Sequence, residues 1–230
     1  GRAVGLVAFN NTATPGICTS LMTPFRVSTP SPTLPPGPGI WRLTPPFAAP
    51  RTPWVGNVRR FMLGSVDQFL PDPPPSLQSD EWAEAFNEIK AYGALTDSAR
   101  TDEQTRIGQF WSASVIRQYN RVGRDLAGTG PNLLRAARLL AMINLVGADA
   151  LMSNLYAKYY YLFWRPVTAI NGSLDPTAVT NDGFGRVPGY DDGNPATVEQ
   201  PRWRPLLTTP NHPEYPAAHG AITSAMGEVF

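Results

Sequence analysis

The chain has 230 residues, a formal net charge of +1 and a single cysteine, Cys18. That length allows one large domain with a sizeable core. The near-neutral balance argues against a nucleic-acid or membrane-surface partner, and one thiol excludes an intrachain disulfide framework.

Taken in chain order, residues 1–38 show no clear cap or period and are set apart as an N-terminal segment. The stretch from Pro24 to Pro53 holds many of the 25 prolines, about twice the ordinary usage of ~5%. It is expected to run extended over a surface, pinned by Trp41, Phe47 and Trp54. Arg59 to Leu70 is expected as a short helix stopped by the prolines from Pro71 to Pro75. Ser79 should cap a helix carrying Trp82, Phe86 and Ile89 on one face, with Gly93 closing it. Thr101 with Gln104 forms a capping-box pattern before Ile107, Phe110 and Trp111. A third helical stretch runs from about Ile116 to Ala127, and Gly128 to Gly130 break it.

Pro131 suits the first position of the next helix. That helix is expected to run from Asn132 to Trp164. It is apolar nearly all round, so it should be central and the most buried. Pro166 disfavours helical geometry at Arg165 and marks a boundary. Asn171 to Pro205 reads as a long loop anchored by Phe184, Tyr190 and Trp203, longer than an ordinary connector. Ala217 to Phe230 reads as a final helix. With no strand alternation, repeat or glycine-rich phosphate loop, the expected fold is all-α. It would be one helical bundle over residues 39–230 with long proline-rich surface loops. No apolar run reads as long enough to span a bilayer, and no basic-then-apolar leader opens the chain, so a soluble protein is expected. Asn10-Asn11-Thr12 and Asn171-Gly172-Ser173 have the form of glycosylation acceptors, which leaves secretion open and the compartment unassigned.

Two stretches carry chemistry. Lys158 and Arg165 stand seven residues apart around Tyr159-Tyr160-Tyr161-Leu162-Phe163-Trp164. On one helix they would lie about 20° apart in azimuth and roughly 10 Å apart along the axis. No acid lies between them, and Asp149 is too distant for a local helical pair. Buried cations without partners are costly, so a shared oxyanion is expected. Pro216-Ala217-Ala218-His219 then opens the last helix. Its free amides and dipole favour an anion, and His219 can exchange protons with a ligand held there. His212 reads as a loop hydrogen-bonding residue.

Lys158–x6–Arg165-Pro166 is similar to the first signature of the vanadium-dependent haloperoxidase and type 2 phosphatidic acid phosphatase superfamily. Pro216-Ala217-Ala218-His219 resembles the second, normally Pro-Ser-Gly-His. The flanks Phe163 to Ile170 and His212 to Pro216, with the stretch from Gly39 through Trp82, Phe86, Gln104 and Trp111, resemble its soluble haloperoxidase-like branch. The resemblance covers roughly residues 39–230. It implies a helical bundle with one pocket for vanadate, or for phosphate in the phosphatases. Lys158 and Arg165 would bind oxyanion oxygens beside Ala217 and Ala218, and His219 would be the acid/base. The implied substrates are peroxide with a halide, or a phosphate ester. Vanadate takes the geometry of phosphoryl transfer, which lets both chemistries share a site. Two departures bear on this. Ala217 offers no hydroxyl where the signature has serine, a loss that elsewhere costs about 10²–10³-fold in rate. The third signature, with the vanadium-ligating histidine, is expected beyond Phe230, in a further segment or a second chain. No metal ligand is assigned within these residues. An acid phosphatase of the same fold and a catalytically inactive homologue with a storage, structural or binding role are the alternatives.

Overall fold

A computed structural model of the chain describes residues 37–44, 46–47, 49–128, 132–171 and 191–230. Most of the expected N-terminal segment, Cys18, the Asn10 sequon, Pro131, Phe184 and Tyr190 lie outside them. Six α-helices lie within: α1 (Asp80–Tyr92), α2 (Asp102–Trp111), α3 (Val115–Gly128), α4 (Leu133–Tyr161), α5 (Pro166–Asn171) and α6 (Ala218–Gly227). No strand occurs among the described residues, only isolated bridges pairing Ile40 with Phe163 and Ala94 with Pro205. The protein is all-α, as expected.

Local chemistry sets the first two helices. The Ser79 side chain accepts from the Trp82 N–H, which satisfies one orphan donor at the start of α1. At α2 the capping box is complete: Thr101 accepts from the Gln104 N–H, and the Gln104 side chain accepts from the Thr101 N–H. Between Arg59 and Leu70 no helix forms; the backbone there bends and turns. Phe61, Met62 and Phe69 stay exposed, so no apolar face is available to hold that short segment helical. Phe47 is also exposed and is not an anchor, whereas Trp41 is buried.

Three apolar clusters organise the core. Trp82 and Phe86 of α1 meet Trp164, Val167, Ala169 and Ile170 around α5, with Trp203 from the later loop. Trp82 and Trp164 stack with centroids 5.9 Å apart. Val115 of α3, Ile143 of α4 and Ile222 and Met226 of α6 form the second cluster. Val55, Met152 and Leu155 form the third. The close approach of α4 to α6 requires Gly147, where an added Cβ would stand 3.0 Å from the Met226 sulfur.

The long helix departs from expectation twice. It is not buried along its length: Leu133 and Leu134 are 83% and 80% exposed, while Ile143 is 0% exposed. Apolar composition shows that a helix can be buried, but not that a neighbour covers it. The helix also ends at Tyr161 rather than Trp164. Leu162 turns left-handed (φ 50°, ψ 37°) and its N–H bonds to the Lys158 carbonyl. Pro166 then opens α5, so Arg165 stands on a separate element. By length and composition α4 is able to cross a bilayer, contrary to the sequence expectation. Its C-terminal half buries Asp149, Asn154 and Lys158, each bonded to other parts of the same chain.

Candidate active site

Lys158 sits in the last turn of α4 and is 1% exposed. The chain reverses through Leu162, whose carbonyl accepts from the Trp41 N–H at 2.7 Å, and Phe163, whose carbonyl accepts from the Glu214 N–H at 3.0 Å. This reversal brings Arg165 back against the same loop. Lys158 Nζ donates to the carbonyls of Pro213 at 3.0 Å and Glu214 at 2.6 Å. Arg165 Nε donates to the His212 carbonyl at 2.7 Å, and its Nη2 lies 2.8 Å from His212 Nδ1. Arg165 Nη1 pairs with the Glu214 carboxylate at 2.5 Å.

Both cations therefore meet the 212–214 loop, and through it each other. The route is not the shared helical face that their spacing suggests. Nor are they left without protein partners: Glu214, remote in sequence, supplies the carboxylate, and three backbone carbonyls and the His212 ring take the other bonds. The cation pair alone is thus no argument for a bound anion.

The electrostatics follow from burial. Desolvation pulls the Lys158 ammonium down to about 7; Glu214 opposes that fall and Arg165 adds to it. His212 is pushed down to about 3, first by desolvation and then by the charges of Arg165 and Lys158. The His212 ring is therefore neutral at ordinary pH. Arginine has donors only, so the Arg165 contact makes Nδ1 an acceptor and puts the ring proton on Nε2, which leaves the Pro213 carbonyl, 3.1 Å from Nδ1, without a hydrogen bond from it. His212 is a bonded loop residue, as expected of it.

The second stretch opens α6. Ala217 is its N-cap and makes no side-chain cap bond, so no side chain satisfies the first amides of the helix. Asn154, buried in α4, donates from Nδ2 to the Ala217 carbonyl at 3.2 Å and ties this helix start to the Lys158 helix. His219 lies in the first turn of α6 and is exposed. It lines a cavity of about 610 Å³ with Arg165, Glu214 and Thr223. Trp111, Ile89, Val167 and Trp203 form the apolar wall of that cavity.

The structure thus brings Arg165 and His219 to one cavity. Lys158, which bonds the Glu214 carbonyl, lies outside the lining, as do Ala217 and Ala218. Among the described residues no group of three His, Cys, Asp or Glu side chains is placed to hold a metal ion. Sequence reasoning missed Glu214 and Asn154. A buried asparagine in an apolar helix was a readable signal; the partner of Arg165, 49 residues away, was not.

Residues 138–230 match the family model described as the VCPO second helical-bundle domain. A vanadium chloroperoxidase from Curvularia inaequalis is 28% identical over 206 residues, which span 79% of this chain and 32% of that protein. The crystal structure of a bacterial vanadium-dependent iodoperoxidase superposes with a TM-score of 0.61 at 26% identity, covering 86% of this chain and 47% of that one. The chain spans a third to a half of the length of these relatives.

Proposed function

We propose, for a chain that belongs to the vanadium haloperoxidase-like superfamily, that the cavity beside Arg165 binds a tetrahedral oxyanion of the vanadate or phosphate type. The observation that carries this reading is Arg165 and His219 on one cavity wall, beside a helix start with no side-chain cap. A guanidinium and free helix amides suit an oxyanion, and an exposed imidazole at the mouth suits proton exchange.

The residues present would hold vanadate through its oxygens. Arg165 would orient oxygens with its buried fork, and the α6 amides would add backbone donors. Lys158, outside the lining, adds positive charge below its pKa of about 7. Bound there, vanadate would supply the Lewis-acidic centre for peroxide-driven halide oxidation. His219 would give and take protons at the cavity mouth. Ala217 contributes no hydroxyl, so the helix start relies on backbone donors alone. His212 Nδ1 is engaged by Arg165, and neither His212 nor His219 matches the vanadium-ligating histidine that the family resemblance implies. We therefore expect weak or no peroxide-dependent bromide oxidation from these residues alone. The engagement of Arg165 and Lys158 by the 212–214 loop favours a second reading, a homologue without turnover in which these cations hold the loop.

Vanadate binding, followed by ⁵¹V NMR or calorimetry, separates the possibilities. Arg165→Gln should weaken binding by about 10-fold or more, the loss of one charge-assisted contact. His219→Ala should leave affinity within a few-fold and abolish whatever bromide oxidation exists. Equal vanadate affinity in wild type and Arg165→Gln would contradict the assignment.

A further inference from the structure

Every donor of Lys158 and Arg165 that faces the 212–214 loop is engaged, but the partners differ in kind. Lys158 Nζ is held by two backbone carbonyls. Arg165 Nε and Nη2 are held by the His212 carbonyl and ring. These partners belong to backbone, or to a ring packed beside it, and they cannot leave without unfolding the loop. The loop itself is tied down by the Glu214 N–H on the Phe163 carbonyl at 3.0 Å and the His212 N–H on the Pro210 carbonyl at 2.9 Å. The remaining partner is the Glu214 carboxylate on Arg165 Nη1. It is the one anion in the set, and it hangs on a flexible side chain. The Glu214 side chain is 40% exposed against 8% for Arg165, and both line the cavity. Rotation of Glu214 toward solvent would uncover a guanidinium that His212 still holds in place.

We propose that Glu214 is a resident counter-anion, and that an oxyanion enters by displacing its carboxylate from Arg165. This rests on the oxyanion reading of the same cavity and adds a specificity element to it. Glu214 keeps the buried guanidinium paired while the cavity is empty, which removes the cost of an unpartnered buried charge. It also sets a threshold. The apparent affinity for an anion scales with the fraction of time the carboxylate is away. Singly charged anions that bind Arg165 no better than a carboxylate does are excluded. Tetrahedral oxyanions, which can reach the α6 amides at the same time, are admitted.

Glu214→Gln tests this. The amide keeps the shape and one acceptor oxygen but surrenders the charge. Phosphate is titrated calorimetrically into wild type, Glu214→Gln, Arg165→Gln and the double variant, each checked for helicity. The expected result is phosphate affinity raised about 10-fold or more in Glu214→Gln and lost in both Arg165 variants. The thermal midpoint of Glu214→Gln should fall in phosphate-free buffer and recover on phosphate addition by more than wild type rises. Acetate should bind Glu214→Gln and not wild type. If Glu214→Gln is unstable, Glu214→Ala takes its place in the same comparison. A lower midpoint with unchanged or weaker phosphate affinity, while Arg165→Gln still weakens binding, overturns the displacement and leaves the oxyanion site standing. Phosphate binding that Arg165→Gln leaves intact, or no binding by wild type and Glu214→Gln alike, overturns both.

Discussion

The two halves of α4 invert the usual relation between polarity and burial. Its first turns carry Leu133 and Leu134 and are open to solvent, whereas its last turns bury Asp149, Asn154 and Lys158 at 4%, 5% and 1% exposure. The difference lies in what surrounds each half. Around the C-terminal half, loop segments bring backbone groups to meet each polar side chain. Asp149 accepts from the amides of Phe61 at 2.8 Å, Met62 at 2.6 Å and Leu63 at 3.0 Å. Asn154 holds the start of α6, and Lys158 holds the 212–214 loop. These polar side chains act as fasteners for irregular chain, which has no ladder of its own to satisfy its backbone. The candidate site is built at this end, where helix and loop are joined.

The largest expected effect breaks that joint. Asp149→Ala removes the acceptor of three amides and should cost about 3 kcal/mol of stability. Urea denaturation checks this, and a loss below about 1 kcal/mol would show that the 61–63 segment is not fastened by the carboxylate.

A smaller effect distinguishes Lys158 through its pH dependence. Its folded pKa of about 7 lies below the ordinary 10.5. Between those values the folded ammonium loses its proton while the unfolded chain keeps it. Unfolding then takes up a proton, so stability rises with pH through this window. Wild type should gain up to about 2 kcal/mol on Lys158→Met between pH 7 and pH 9. Parallel stability profiles for the two proteins would refute the assigned pKa. The same loss of charge should weaken oxyanion affinity as pH rises above 7.

At the other end of α4 the expected effect is the smallest. Leu134→Lys places a charge where the side chain is 80% exposed, and the change in stability should stay within about 0.5 kcal/mol. A loss of 2 kcal/mol or more would mean that this half is covered in the folded protein after all.

The contrast also explains what was legible in the sequence. Caps at Ser79 and Thr101 and the boundary at Pro166 were readable, because a cap or a proline acts within one turn of chain. The all-α class followed from the helical periodicity. A shared anion for Lys158 and Arg165 was anticipated from a continuous helix, yet the two meet at the 212–214 loop through a chain reversal after Tyr161. Spacing reports geometry only as far as the helix lasts, and nothing local marks Leu162 as the left-handed stop. The Glu214 partner of Arg165 is supplied by tertiary folding, as are the amides that Asp149 binds. Exposure of the apolar start of α4 was hidden for the same reason: composition says nothing about neighbours.

The central claim is that Arg165 and the start of α6 share one oxyanion site, and an anomalous difference map from crystals soaked in tungstate tests it most directly. A tungstate peak is expected within hydrogen-bond distance of the Arg165 guanidinium, beside the first turn of α6 and His219, with the Glu214 carboxylate swung away. Tungstate bound only elsewhere, or no peak at saturating tungstate with the Arg165–Glu214 pair intact, would contradict it.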